Sequence, residues 1–166
     1  MRKNRRHILF IFAVVTVLLA GSATLIRAQD KPADNMQILL EKMKADKKLI
    51  VSENMELTEA EAKVFWPVYE QYQNELFLIR ARMAKLITDY GDAYGKMTNA
   101  TAKKLLDESM TIETLGLKLR QAYLPKFRKV LSETKVVRYY QIENKLYALL
   151  LYELARKIPM IKTDTK

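Results

Sequence analysis

Leu57-Thr58-Glu59-Ala60-Glu61 opens a run to Tyr94 in which Phe65, Tyr69, Tyr72, Leu76, Ile79, Met83, Leu86 and Tyr90 recur at steps of 4, 3, 4, 3, 4, 3 and 4. That alternation lays one apolar stripe along an α-helix, whereas a strand would need period 2. The start is marked chemically. Thr58 is placed to accept the amide of Glu61, and the Glu61 carboxylate can reach back to Thr58, which is the reciprocal pair of a capping box. Leu57 and Ala62 occupy the two positions of a hydrophobic staple. A helix from Glu59 to Tyr94 holds 36 residues and spans about 54 Å at ~1.5 Å per residue. In a chain of 166 residues such a helix cannot be wrapped on every side. It predicts an elongated molecule with this helix as its spine.

Pro67 removes one backbone donor and crowds the Lys63 carbonyl, but the 4-3 spacing continues on both sides of it. A bend is therefore expected rather than a break. Gly95 is the expected left-handed cap at the far end.

Outward from the spine the same period recurs. A first helix is expected from Asn35 to Val51, with Met36, Leu39, Leu40 and Met43 on one face and Lys42, Lys44, Lys47 and Lys48 opposite. Ser52 to Glu56 reads as the break. A second long helix is expected from Asn99 to Val130, with one row at Leu106, Met110, Leu117, Leu124 and Leu131 and a neighbouring row at Leu105, Ile112 and Leu119. Pro125 should bend it near its end. The last helix runs from Glu133 to Lys157, ahead of Pro159. Its middle, residues 147–152, is apolar nearly all round, which implies burial on more than one face and a contact with a second subunit. Leu150 and Leu151 are the candidate dimer contacts. Strand signals are nearly absent, and the chain holds only four glycines. The fold class is all-α: an elongated, bent helical hairpin or bundle of about four helices, two of them long.

The amino terminus carries its own reading. Arg2, Lys3, Arg5 and Arg6 precede an apolar run from Ile8 to Ala20, and small residues follow at Gly21-Ser22-Ala23 and Ala28. Basic head, short apolar middle and small-residue end are the three regions of a cleaved secretory signal peptide. The run of 13 residues is short of the roughly 20 that span a bilayer. Extending it to Ile26 leaves an uncleaved anchor as the alternative. Residues 1–28 are taken as the signal peptide, with Ala23 as a second cleavage point. Residues 29–166 are expected to form one helical domain with a polar arm (29–35) and a frayed tail (160–166). Export of this kind points to the periplasm, with no membrane span once the leader is removed.

Composition excludes several classes of function. The formal net charge is +10, but five of the 29 basic residues and no acidic ones lie in the leader, so the mature balance is 24 basic against 19 acidic, or +5. Charge this modest and this scattered argues against nucleic-acid binding. With no cysteine and a single histidine, His7, in the leader, the mature chain lacks disulfides, a thiol nucleophile and the commonest general base. Carboxylates alone make a poor zinc site. Glu59 and Glu61 sit at a helix start, where they favour the macrodipole. No glycine-rich phosphate loop is present. No catalytic residue, metal site or cofactor is expected.

One pattern occurs three times. Leu57-Thr58-Glu59-Ala60-Glu61-Ala62 recurs as Met97-Thr98-Asn99-Ala100-Thr101-Ala102 and as Leu131-Ser132-Glu133-Thr134-Lys135-Val136. Each copy has an apolar residue, a hydroxyl N-cap and an apolar residue four positions on. As helix starts alone, each contributes about 1 kcal/mol. The first and third copies share more. At an offset of 74, Phe65-Trp66 faces Tyr139-Tyr140 and Val68 faces Ile142. The paired entrances, in a small exported helical chain, resemble the Spy/CpxP family of periplasmic proteins. Its members carry two Leu-Thr-x-x-Gln motifs near helix starts, and the resemblance covers Leu57 to Arg156.

This chain departs from the motif at its last position, which holds Glu61 in one copy and Lys135 in the other. Ser132 and Thr134 also replace commoner residues. The resemblance implies a hairpin that dimerises into a cradle, with ATP-independent chaperone activity towards unfolded or partly folded envelope proteins. The alternatives are a stress-regulatory protein docking on a membrane sensor and a membrane-anchored spacer. Trp66, off the spine's stripe, together with Arg80, Arg82, Lys118 and Arg120 are the candidate client contacts. The bases would attract acidic, unfolded chains by steering.

Overall fold

The computed structural model describes residues 45–162. The expected leader, the polar arm, the apolar face of the first helix at Met36, Leu39, Leu40 and Met43, and residues 163–166 lie outside the described residues. The protein is all-α, with no strand among the described residues. Its elements are α1, described over 45–55; α2, Glu59–Ala93; a 3₁₀ turn, Tyr94–Lys96; α3, Asn99–Arg128; and α4, Glu133–Lys157. The chain divides into two compact units. One comprises α1 and Arg138–Ile158, and the other comprises Leu57–Val137 with the segment that begins at Pro159.

The larger unit is built on the stripe of α2. Phe65, Tyr69, Tyr72 and Leu76 are buried, and Ile79, Met83, Leu86 and Tyr90 are half-buried. They meet an aromatic face of α3. Phe65 lies 5.9 Å from Phe127 and Tyr72 lies 5.2 Å from Tyr123, ring centre to ring centre. Tyr72 also packs edge-on to Phe127 at 5.8 Å. Partner numbers fall on α3 as they rise on α2, from Phe65–Phe127 to Arg82–Glu108, so the two helices are antiparallel. Rings of this size dominate the burial energy of so small a core. Pro67 and Pro125 both sit inside unbroken helices.

Three boundaries differ from the expectations. The first break is narrower than Ser52–Glu56, because α1 continues to residue 55. Val51 and Met55 are fully buried and lie one turn apart on one face, so burial carries the helix through the polar stretch between them. The chain then turns at Glu56, which adopts a left-handed φ of 50°. Gly95 is not a left-handed cap. No glycine among the described residues has a positive φ, and α2 ends at Ala93 in a 3₁₀ turn whose Tyr94 N–H donates to the Gly91 carbonyl. Tightening the last turn in this way satisfies a terminal carbonyl without glycine. The second long helix stops at Arg128, and a turn whose Leu131 N–H donates to the Phe127 carbonyl at 3.0 Å leads onward.

The sequence offered two rows on α3, and the structure chooses between them. Of the first row, Leu106, Met110 and Leu117 are 60%, 50% and 57% exposed, and only its far end at Leu131 is buried. The neighbouring row is the inner one. Ile112 and Leu119 are buried, and Tyr123 and Phe127 extend their line to the carboxyl end. Two large rings outweigh the extra aliphatic side chains of the competing row, because buried area decides which face turns inward.

In the smaller unit Val51, Met55 and Tyr139 are buried to 0% exposure. Arg138 closes the end of α1 there. Its guanidinium donates to the Asn54 carbonyl at 2.5 Å and to the Glu56 carboxylate at 2.8 Å. Asn54 is in the last turn of α1, where carbonyls have no partner within the helix. Lys47 pairs with the buried Glu143 at 2.7 Å.

Candidate functional site

The first and third helix entrances meet within the larger unit. At the start of α2, Thr58 Oγ1 accepts the Glu61 amide at 3.3 Å, and Glu61 Oε2 accepts the Thr58 amide at 2.8 Å and its hydroxyl at 2.9 Å. The capping box is therefore complete. The same carboxylate oxygen accepts the Lys135 ammonium at 2.5 Å. Lys135 belongs to the first turn of α4, whose opening bond runs from Val136 N–H to the Ser132 carbonyl at 2.9 Å. The residues at equivalent positions of the first and third entrances are thus bonded to each other. One carries the complement of the other's charge.

Leu57 is half-buried and Leu131 is buried beside these starts, as apolar residues preceding an N-cap usually are. The second entrance lies elsewhere. Thr98 caps α3 by accepting the Thr101 amide at 3.1 Å. It follows the carboxyl end of the 35-residue α2, about 52 Å of helix away from Thr58. Met97 is half-buried there.

Electrostatics follow from this geometry. The Lys135 ammonium first, and then the amide and hydroxyl of Thr58, hold the Glu61 carboxyl down at about 2, against 4.5 for an ordinary glutamate. A depressed carboxyl stabilises the folded state fully above its unfolded value, and that contribution is lost as pH falls through the folded value. Thermal melts at pH 5 and pH 2.5 should therefore show wild type losing stability over this interval. Glu61→Gln, which keeps an acceptor oxygen but cannot titrate, should show a shallower loss. Equal slopes in both proteins would mean that the pair does not contribute.

The other expected contacts are dispersed. Trp66 is half-buried, with its ring edge-on to Phe65 at 5.0 Å and to Tyr69 at 5.2 Å. It lines the outside of the aromatic core. Arg82 is engaged by Glu108 through two parallel bonds, one of them NH2 to Oε2 at 2.7 Å. That fork holds the Glu108 carboxyl below its usual range and ties α2 to α3. Arg80 is half-buried and donates to Met83 Sδ. Lys118 is exposed and Arg120 half-buried. Leu150 is half-buried, and Leu151 is 42% exposed beside Tyr152 at 61%.

No protein-family model, no curated protein and no solved structure matches this chain. The resemblance to the Spy/CpxP family is therefore one of short helix-entrance motifs in the sequence.

Among the described residues no group of three or more acidic, histidine or cysteine side chains is placed to hold a metal ion. No described helix is long and apolar enough to cross a membrane. The shift at Tyr123 is explained by packing. Burial first, and then a 2.5 Å bond from its hydroxyl to Glu75, push Tyr123 up to about 12.

Large apolar side chains are exposed on both long helices. Leu106, Met110 and Leu117 form an exposed apolar row along α3, and Leu78 on α2 is 68% exposed. The sequence left both rows of α3 open and did not single this one out as a surface. Continuing the rival row through Tyr123 and Phe127, at steps of 4 and 4 from Leu119, would have found it.

Proposed function

We propose that the protein is an exported, ATP-independent, chaperone-like binding protein of the periplasm. It works as a homodimer and shields unfolded or partly folded envelope proteins. The observation that carries the reading is the exposed row Leu106, Met110 and Leu117. Lys103, Lys104 and Lys118 on the same helix are exposed as well. An apolar row on a charged helix gives weak contacts without fixed geometry, which suits partners that have no fixed shape. Lysines on that helix attract acidic segments at long range, and this attraction is screened beyond about 8–10 Å at physiological salt. The pairing of Glu61 with Lys135 supports the likeness to Spy/CpxP proteins, since it joins the two positions which that likeness treats as equivalent.

The test is light scattering of several chemically unrelated unfolding clients, without nucleotide, at stoichiometric excess of the purified protein. The wild type is expected to keep them dispersed. A variant with Leu106, Met110 and Leu117 all changed to Ser should lose most of that protection while remaining helical. If the folded wild type leaves all clients to aggregate, the reading fails. If the triple variant protects as well as wild type, the row is not the contact.

A further inference from the structure

The chain is obliged to leave α4 at Pro159. Proline has no N–H, and it disfavours helical backbone at the residue before it. The last helical bond runs from Ile158 N–H to the Leu154 carbonyl at 2.9 Å. Beyond it residues 159–162 carry no helix, so their carbonyls need donors from elsewhere. Two of them find donors at the carboxyl end of α2. Tyr90 Oη donates to the Pro159 carbonyl at 2.6 Å, and Tyr94 Oη donates to the Met160 carbonyl at 3.2 Å.

The two tyrosines stand four residues apart, hence on one face. Their ring centres are 5.9 Å apart, with planes inclined by 52°. The segment they hold is not a core element, since Met160 is 90% and Ile161 40% exposed. It is gripped by its main chain. Both acceptors are backbone carbonyls, which any extended polypeptide presents in succession.

We propose that Tyr90 and Tyr94 form a recognition site for the main chain of an extended peptide, and that the protein's own Pro159–Met160 segment closes this site in cis. Three physical features fit that role. Hydroxyl donors aimed at successive carbonyls ignore side-chain identity, so the site tolerates many sequences. The fixed φ of Pro159 lowers the conformational entropy lost when the segment docks. The tether gives that segment an effective concentration on the order of millimolar, so it excludes weak competitors. This inference does not depend on the chaperone reading, because it concerns any extended segment, including a free copy of the protein's own tail.

The absence of cysteine makes the test direct. Met160→Cys in the full chain provides one thiol for a spin label, and its exposed side chain leaves the carbonyl bonds in place. The label should be motionally restricted. Adding Tyr90→Phe and Tyr94→Phe keeps the rings and removes both donors. Each lost bond should raise the open-to-closed ratio about three- to tenfold. A synthetic peptide covering Ile158 to Lys166, at millimolar concentration, should mobilise the label on the chain with both tyrosines and leave the double-Phe chain unchanged. Circular dichroism monitors folding. Should the double-Phe chain unfold, the peptide titration on the tyrosine chain decides alone. A label equally mobile in both chains overturns the cis closure. A peptide that mobilises nothing overturns the recognition site.

Discussion

Phe127→Ala should lower the unfolding free energy by about 3–5 kcal/mol, whereas Leu117→Ala should change it by no more than about 0.5 kcal/mol. Both are large apolar residues on α3, ten positions apart. Phe127 is 0% exposed and meets Phe65, Tyr72 and Tyr123 at ring distances of 5.9, 5.8 and 6.3 Å. Truncating it removes the burial of a whole ring and opens a cavity among three others, which cannot collapse without leaving their own contacts. Leu117 is 57% exposed, so alanine there removes little buried area and slightly improves helix propensity. Urea denaturation of both variants gives the two numbers. Comparable losses would mean that the inner face of α3 is not the one carrying Ile112, Leu119, Tyr123 and Phe127.

The second large effect is expected at an ion pair. Lys47→Met should cost about 2–4 kcal/mol, because the Glu143 carboxylate would remain in place without the ammonium 2.7 Å away. Glu143 has a side chain only 9% exposed, against 21% for Lys47, so the carboxylate is the deeper of the two. Removing both charges with Lys47→Met and Glu143→Leu should restore most of the loss, since an apolar pair of similar volume has no desolvation to offset. A double-mutant cycle by chemical denaturation reads the coupling. If the double variant is as unstable as the sum of the single changes, the pair is not coupled. Lys47 was legible only as one lysine of a polar face, because nothing within α1 marks it as different from Lys48.

The charge prediction at Glu61 and the aromatic prediction at Phe127 show how unevenly a sequence carries information. The cap at Thr58 and the burial of Phe65, Tyr69, Tyr72 and Leu76 were readable because capping and helical periodicity are decided within one or two turns of chain. The same holds for the all-α class and for the start of α4 at Glu133. Short-range rules could not choose between the two rows of α3, since both repeat at helical spacing. Only the face of α2 opposite, with its own rings, made the aromatic row the inner one. They could not place the end of α1 either, where the burial of Val51 and Met55 overrode a polar stretch.

The bond between Glu61 and Lys135 marks the boundary most clearly. Each residue by itself is one charged side chain in the first turn of a helix. Joined across 74 positions, they form one charge-assisted contact. By itself the sequence determined the starts of α2, α3 and α4 and the stripe of α2, because those depend on neighbours along the chain. The tertiary structure alone decided which row of α3 is buried and which distant side chains meet, because both depend on surfaces that the chain brings together only by folding.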